Sequence, residues 1–254
     1  MDFLNELAAR NYMLYIFGWV CLVGAIVTAI LTQTTSTQVL GINAFIKPFK
    51  FFLSTVIFTW TMTWFLGYLN DSTMIKAYTW TVIITLAFEL IYITAKAAIG
   101  QLSHFNVSTS QNALMFSLMG VAISIMTLFT LYIGVLFFTG KHAELPPSYL
   151  WGIRLGIICF VIFAFQGGMM GAQLSHTVGA VDGGKGLPLL NWSAKYGDLR
   201  IAHFAGMHAL QILPLAGYYV LSSSRYLMAF AALYFLVCFS VLIQAMMKIP
   251  FIKM

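Results

Sequence analysis

Charge is what this sequence lacks most. Only 8% of its 254 residues are Asp, Glu, Lys or Arg, while 61% are apolar. Soluble domains carry about a quarter charged residues. A chain so poor in polar side chains cannot cover a water-facing globule, and the solvent that suits it is lipid. Cysteine is scarce and unpaired: Cys21, Cys159 and Cys238 lie singly inside apolar runs. Without C-x-x-C there is no sign of a disulfide framework, and without C-x-x-C-H no covalent haem attachment. The three read as small buried hydrophobes. Basic runs are missing as well. The net charge of +6 comes from 13 bases dispersed among short loops, a pattern that speaks against nucleic acid and fits loops beside anionic headgroups. H-E-x-x-H, the P-loop pattern and G-x-S-x-G do not occur, so no familiar catalytic motif anchors a reaction.

What the chain does have is long apolar runs. A membrane-crossing helix needs roughly 20 such residues, and seven stretches qualify: 13–32, 51–69, 79–98, 117–138, 149–172, 201–221 and 226–247. They are too long for strands and show no period-two alternation. In lipid a helix satisfies its own backbone hydrogen bonds. The expected fold is all-α: a polytopic bundle of about seven transmembrane helices forming a single domain over 1–254. The first ten residues, MDFLNELAAR, show no small-residue cleavage site, so the first span is expected to remain in the mature protein. Small residues at four-residue spacing, Gly152/Gly156, Gly167/Gly171 and Ala202/Gly206, together with Thr55, Thr59 and Thr63, mark faces where helices pack closely.

Seven spans leave the N-terminal side (side A) with short loops and the opposite side (side B) with three longer links, 33–50, 99–116 and 173–200. Long loops on a rigid scaffold are where function concentrates. Side A carries Arg10, Lys76, Lys141, Arg154 and Arg225. Side B carries Lys47, Lys50, Lys185, Lys195, Arg200, Lys248 and Lys253. That slight excess places side B in the cytoplasm.

The residues able to do chemistry collect towards side B. Of five histidines, His142 falls in a side A loop and reads as solvated. His104, His176, His203 and His208 map to side B or the helix beneath it. Neutral imidazole ligates metals and haem and carries protons. His203 and His208 lie five apart in HFAGMH, about 140° around a regular helix. They cannot grip one ion as an i, i+4 pair does, so other segments would have to complete any site. A hydrogen-bonded structural role is the alternative for each. In the loop HTVGAVDGGKGLPLLNWSAKYGDLR, Asp182 precedes Gly183, Gly184 and Gly186, a tight turn that could aim Asp182 and His176 at one ligand. Asp198 is placed to cap the helix that follows. Asn191 and Trp192 suit either a ligand or an interfacial anchor.

Glu89 sits inside the third apolar run, with Tyr92 and Lys96 on the same helical face. A carboxylate at that depth must face protein or water, which suits a proton path, a pocket floor or a polar ladder between helices. Lys47 and Lys50 flank Pro48 at the expected start of the second long helix. They either snorkel to headgroups or, with Arg200, recognise a phosphate or carboxylate.

The segments IKPFKF, SHFN, HTVG-x-x-DGG, NWS and GDLRIAHFAGMHALQILP resemble one family of bacterial multi-pass integral membrane proteins, over most of the chain. The resemblance implies the polytopic fold and the bacterial inner membrane. It also implies a cytoplasmic N-terminus, against the charge count. It implies no reaction.

Two functional expectations follow. The first is a transition-metal or b-type haem site held by His104, His176, His203 and His208, with Asp182 and Asp198 in or near the ligand set, supporting redox or metal-assisted chemistry on a lipid-soluble substrate. The second is a cofactor-free transporter or receptor for an anionic or lipid-like molecule, using Lys47, Lys50, Glu89, Lys96, Arg200, Gln211 and the 173–200 loop. A subunit role within a larger membrane complex is a third.

Overall fold

The computed structural model describes residues 2–140, 142, 144–183, 186–187 and 190–253. Lys141, Gly184 and Lys185, which entered the charge and turn arguments, lie outside them. The described chain is built of helices: α1 (Phe3–Arg10), α2 (Tyr12–Thr34), α3 (Ile46–Leu66), α4 (Ser72–Ala98), α5 (Ser110–Thr139), α6 (Pro147–Ala172), α7 (Leu199–Tyr219) and α8 (Ser224–Met246). Two antiparallel pairs of two-residue strands lie in the links, β1 (Gln38–Val39) with β2 (Ile42–Asn43) and β3 (Thr177–Val178) with β4 (Gly197–Asp198). This is an integral membrane protein and a polytopic helix bundle.

Among the described residues six helices, α2 to α6 and α8, are long and apolar enough to cross a membrane. The expected seventh, α7, is a 21-residue helix that falls short on composition. Arg200, His203, His208 and Gln211 dilute its apolar residues. The chain divides into two compact units, Met1–Met126 and Thr127–Met254, with the divide inside α5.

In the first unit, α1 is tied to the end of α3. Arg10 lies between the rings of Trp64 and Tyr68, 4.2 and 4.4 Å from their centroids. It donates to Glu6 and to the Trp64 carbonyl at 2.9 and 2.7 Å. Asn11 caps α2 by accepting from the Leu14 amide, and its own amide donates to Thr79 at 2.7 Å. Thr55, Thr59 and Thr63 are all buried on one face of α3, and the hydroxyls of Thr59 and Thr63 bond carbonyls one turn back. A hydroxyl satisfied within its own helix can be buried without a partner elsewhere. Cys21, Cys159 and Cys238 are free and buried, as expected.

In the second unit α6 and α7 pack backbone to backbone. A Cβ on Gly152 would stand 2.7 Å from the Leu213 carbonyl oxygen, and one on Gly156 would stand 2.9 Å from that of Ala209. At the end of the same seam Ser148 donates to the Gly217 carbonyl at 2.7 Å. The obstructing atoms are main chain and cannot rotate away. Gly152→Ala is therefore expected to lower stability by about 1–3 kcal/mol, the usual cost of overpacking. Gly168→Ala, whose Cβ meets nothing within 4 Å, is the control. Thermal unfolding in mild detergent checks both.

His142 departs from expectation. It is buried, 8% exposed, and lies against the Phe137 ring at 5.1 Å. Its position in a loop does not reveal that its ring lies against the end of α5.

Candidate functional site

In the first unit the polar residues gather where α3 begins and α4 ends. Gly100, at φ +67°, closes α4, and the Gln101 amide bonds back to the Lys96 carbonyl at 2.9 Å. The chain then turns back among the helices instead of running on at their ends. Ser103 and Asn106 are buried. Asn106 holds the loop shut, donating to the Leu102 carbonyl at 3.0 Å and accepting from the Ser108 amide and hydroxyl at 3.2 and 2.7 Å. The result is that His104 Nε2 lies 3.5 Å from Glu89 Oε1. Glu89 is nine residues before the end of α4, roughly 13 Å at the helical rise.

Aromatic rings enclose the pair on the His104 side. Phe51, Phe105 and Phe116 have centroids 5.7, 6.2 and 6.0 Å from the imidazole. Lys47 Nζ stands 5.7 Å over the Phe51 ring, which connects the start of α3 to the same cluster. Lys47 and Lys50 are half-buried. Lys96 does not pair with Glu89. Its ammonium donates to Gln101 and Asn112, both at 2.8 Å, and lies 5.6 Å over the Tyr92 ring. The two ends of the expected stripe of Glu89, Tyr92 and Lys96 serve different partners. His104 as the partner of Glu89 was not legible, because the two are far apart in sequence and only the turned-back loop joins them.

In the second unit, the loop between α6 and α7 is organised by two aspartates. Asp182 accepts from Ser175 Oγ at 2.8 Å, from the His176 and Thr177 amides at 2.9 Å, and from His176 Nδ1 at 2.6 Å. Burial would raise its pKa. The hydrogen bonds and charge of His176, helped by Ser175, outweigh burial and hold the carboxyl well below the usual carboxylate range. Asp182 and His176, expected above to be aimed at one ligand, are bonded to each other, with the loop's own amides as the other partners of the carboxylate.

Asp198 is fully buried and caps α7. It accepts from the Arg200 amide at 3.0 Å, from Arg200 Nε at 2.9 Å and Nη2 at 2.6 Å, and from the Ser193 amide at 2.8 Å. The cap reading of Asp198 holds. Arg200, considered above as an anion ligand beside Lys47 and Lys50, instead directs its guanidinium to Asp198 and to the Asn191 carbonyl. β3 and β4 join the two aspartate centres by pairing Thr177 with Asp198. A Cβ on Gly197 would collide with the Ala245 carbonyl, so the loop is seated on α8.

The sign of the Asp182 shift makes a pH prediction. A carboxyl whose folded pKa is depressed stabilises the fold above its unfolded value, and that stability is lost as pH falls through the folded pKa. The 173–200 loop should therefore resist proteolysis at neutral pH and begin to loosen only below about pH 4, the ordinary carboxylate value. Asp182→Asn should be cleaved at neutral pH. Limited proteolysis with an acid-tolerant and a neutral protease reads both.

The remaining histidines each meet a different neighbour. His203 Nδ1 donates to the Phe163 carbonyl of α6 at 2.6 Å, beside Gly167, where a Cβ would reach the imidazole at 2.8 Å. His208 Nδ1 lies 3.2 Å from Gln211 Oε1, with its ring edge-on to Phe204 at 4.3 Å. His104 belongs to the first unit and His176, His203 and His208 to the second. Among the described residues no three His, Cys, Asp or Glu side chains are grouped to hold a metal ion. A b-type haem asks for two imidazoles facing across a ring, whereas those of the second unit turn to an aspartate, a carbonyl and a glutamine.

No family model, curated protein or solved structure matches this chain.

Proposed function

We propose that this protein binds a small carboxylate- or phosphate-bearing anion where α3 begins and α4 ends, and carries it across the membrane with a proton. The observation that supports this most is the loop after α4, which turns back to set His104 3.5 Å from Glu89. Non-helical backbone at membrane depth is tolerated only inside protein or beside a water-filled cavity. Ionisable residues within spans mark ion and proton paths. The Glu89–His104 pair sets a carboxyl beside an imidazole, two groups of the kind that carry protons, in a setting lined by aromatic rings.

Charge supports the anion. Residues 33–50 and 89–118 together hold three lysines against one carboxylate. Lys47 and Lys50 occupy the first turns of α3, a turn that carries no acidic residue of its own and where the positive end of the helix dipole favours negative charge. An anion bound there would meet two lysines and the start of a helix together.

The test uses purified protein in vesicles loaded with a pH-sensitive dye, exposed to inorganic phosphate or to small mono- and dicarboxylates. Anion-dependent acidification of the lumen is expected above that of protein-free vesicles, and it should be lost in Lys47→Gln/Lys50→Gln. Equal fluxes with and without protein for every anion would sink the reading. An absorption spectrum and elemental content on the same preparation test the competing idea of histidine-held haem or metal. A Soret band that shifts on reduction, or stoichiometric metal, would displace the carrier.

A further inference from the structure

α7 is too polar to pass as a membrane span on composition, yet it runs antiparallel along α6. Gly167 meets His203, Gly156 meets Ala209, Gly152 meets Leu213, and Ser148 meets Gly217. Its 21 residues extend roughly 31 Å, about the thickness of the hydrocarbon core. A helix lying along a spanning helix over that length shares its depth, so whatever face it leaves uncovered meets lipid.

That face is not wholly apolar. Phe204, His208, Gln211 and Leu215 fall within about 60° of one another around α7 at ~100° per residue. Phe204 and Leu215 are 43% and 54% exposed, and Ile212 beside them is 38% exposed. Between these lie His208 and Gln211, half-buried and turned towards each other at 3.2 Å. Phe204 stands edge-on to His208 at 4.3 Å and to Trp192 at 5.7 Å. Polar side chains that only hold a membrane bundle together face its interior. This pair lies on an exposed stripe and is flanked by aromatic rings.

We propose that His208, Gln211, Phe204 and Trp192 form a lipid-accessible site for the head of a quinone-type molecule, a planar ring with carbonyl or hydroxyl groups and an apolar tail. Imidazole and carboxamide can each donate to a carbonyl or accept from a hydroxyl. The site therefore suits both the quinone and the quinol. The aromatic side chains offer flat surfaces to a ring. Ile212 and Leu215 continue the stripe as an apolar track for the tail. Beyond Arg200, α7 contains no Asp, Glu, Lys or further Arg, so a neutral head is favoured over a phosphate headgroup. The site lies in the second unit and does not depend on the anion carrier proposed for the first.

The test is photolabelling in nanodiscs made of quinone-free lipid, with azido-benzoquinone and azido-naphthoquinone probes carrying short tails. Saturable labelling of the segment 192–212 is expected, competed by the unlabelled quinone. It should fall at least tenfold in His208→Leu/Gln211→Leu and persist in His208→Gln, which keeps a donor and an acceptor. If the double variant does not remain monodisperse, Gln211→Leu alone supplies the comparison. Labelling that excess unlabelled quinone leaves unchanged is partition into lipid and overturns the site. So does labelling that survives the substitutions, or the failure of both probes to label wild-type protein.

Discussion

Asp198→Ala is expected to be the most damaging single substitution in the second unit. The carboxylate is fully buried and bonded to both the backbone and the side chain of Arg200 and to the Ser193 amide. Removing it takes away the cap of α7 and leaves the guanidinium, itself largely covered, without its counter-charge. Breaking a buried pair from one side costs about 3–5 kcal/mol, because the charge left behind is uncompensated. Asp198→Asn should cost less, since the amide oxygen can still cap. Asp198→Ala/Arg200→Met should also cost less than Asp198→Ala alone, since no orphan charge remains. Unfolding in mild detergent, followed by near-ultraviolet dichroism, ranks the three. If the double variant were as unstable as the sum of its two singles, the pair would not be coupled and the cap alone would carry the effect.

The second large effect is expected at Glu89. Glu89→Leu removes the carboxylate facing His104 and leaves the imidazole among Phe51, Phe105 and Phe116. A buried polar group that loses its partner costs about 1–3 kcal/mol. Adding His104→Phe should restore part of that loss by replacing the imidazole that has lost the carboxylate with a ring of similar shape. The same variants separate structure from transport. Glu89→Gln keeps the shape and a hydrogen-bonding group but holds no exchangeable carboxyl proton. Its anion-dependent acidification should drop to the protein-free level while the protein stays folded. Unimpaired acidification in a folded Glu89→Gln protein would remove Glu89 from the proton path and leave the pair a structural ladder.

The sequence by itself determined the solvent and the architecture. Apolar content and run length depend on composition alone, and a helix in lipid satisfies its hydrogen bonds within its own run. The helices from α2 to α8 were therefore legible, with the starts of α4 and α5 placed about two turns late, as were the buried cysteines, the threonine face of α3 and the cap at Asp198. These features are local: a turn or two of helix contains all the residues that make them.

What only the tertiary structure decided is which distant residues meet. Glu89 was expected beside Lys96 on its own helix, and it faces His104 because the loop after α4 turns back. Arg200 was considered as an anion ligand, but its guanidinium goes to Asp198 and to the Asn191 carbonyl, which the preceding loop brings back to the start of α7. The side B histidines were expected to converge. Within the second unit they turn to three separate partners, because an imidazole is satisfied as well by a carbonyl, an aspartate or a glutamine as by a metal. α7 shows the same division. Its run length counted it among the spans, its polar residues leave it short of one on composition, and its close packing along α6 appears only in the fold. A residue type limits which partners it can take, and the path of the chain between helices selects one of them.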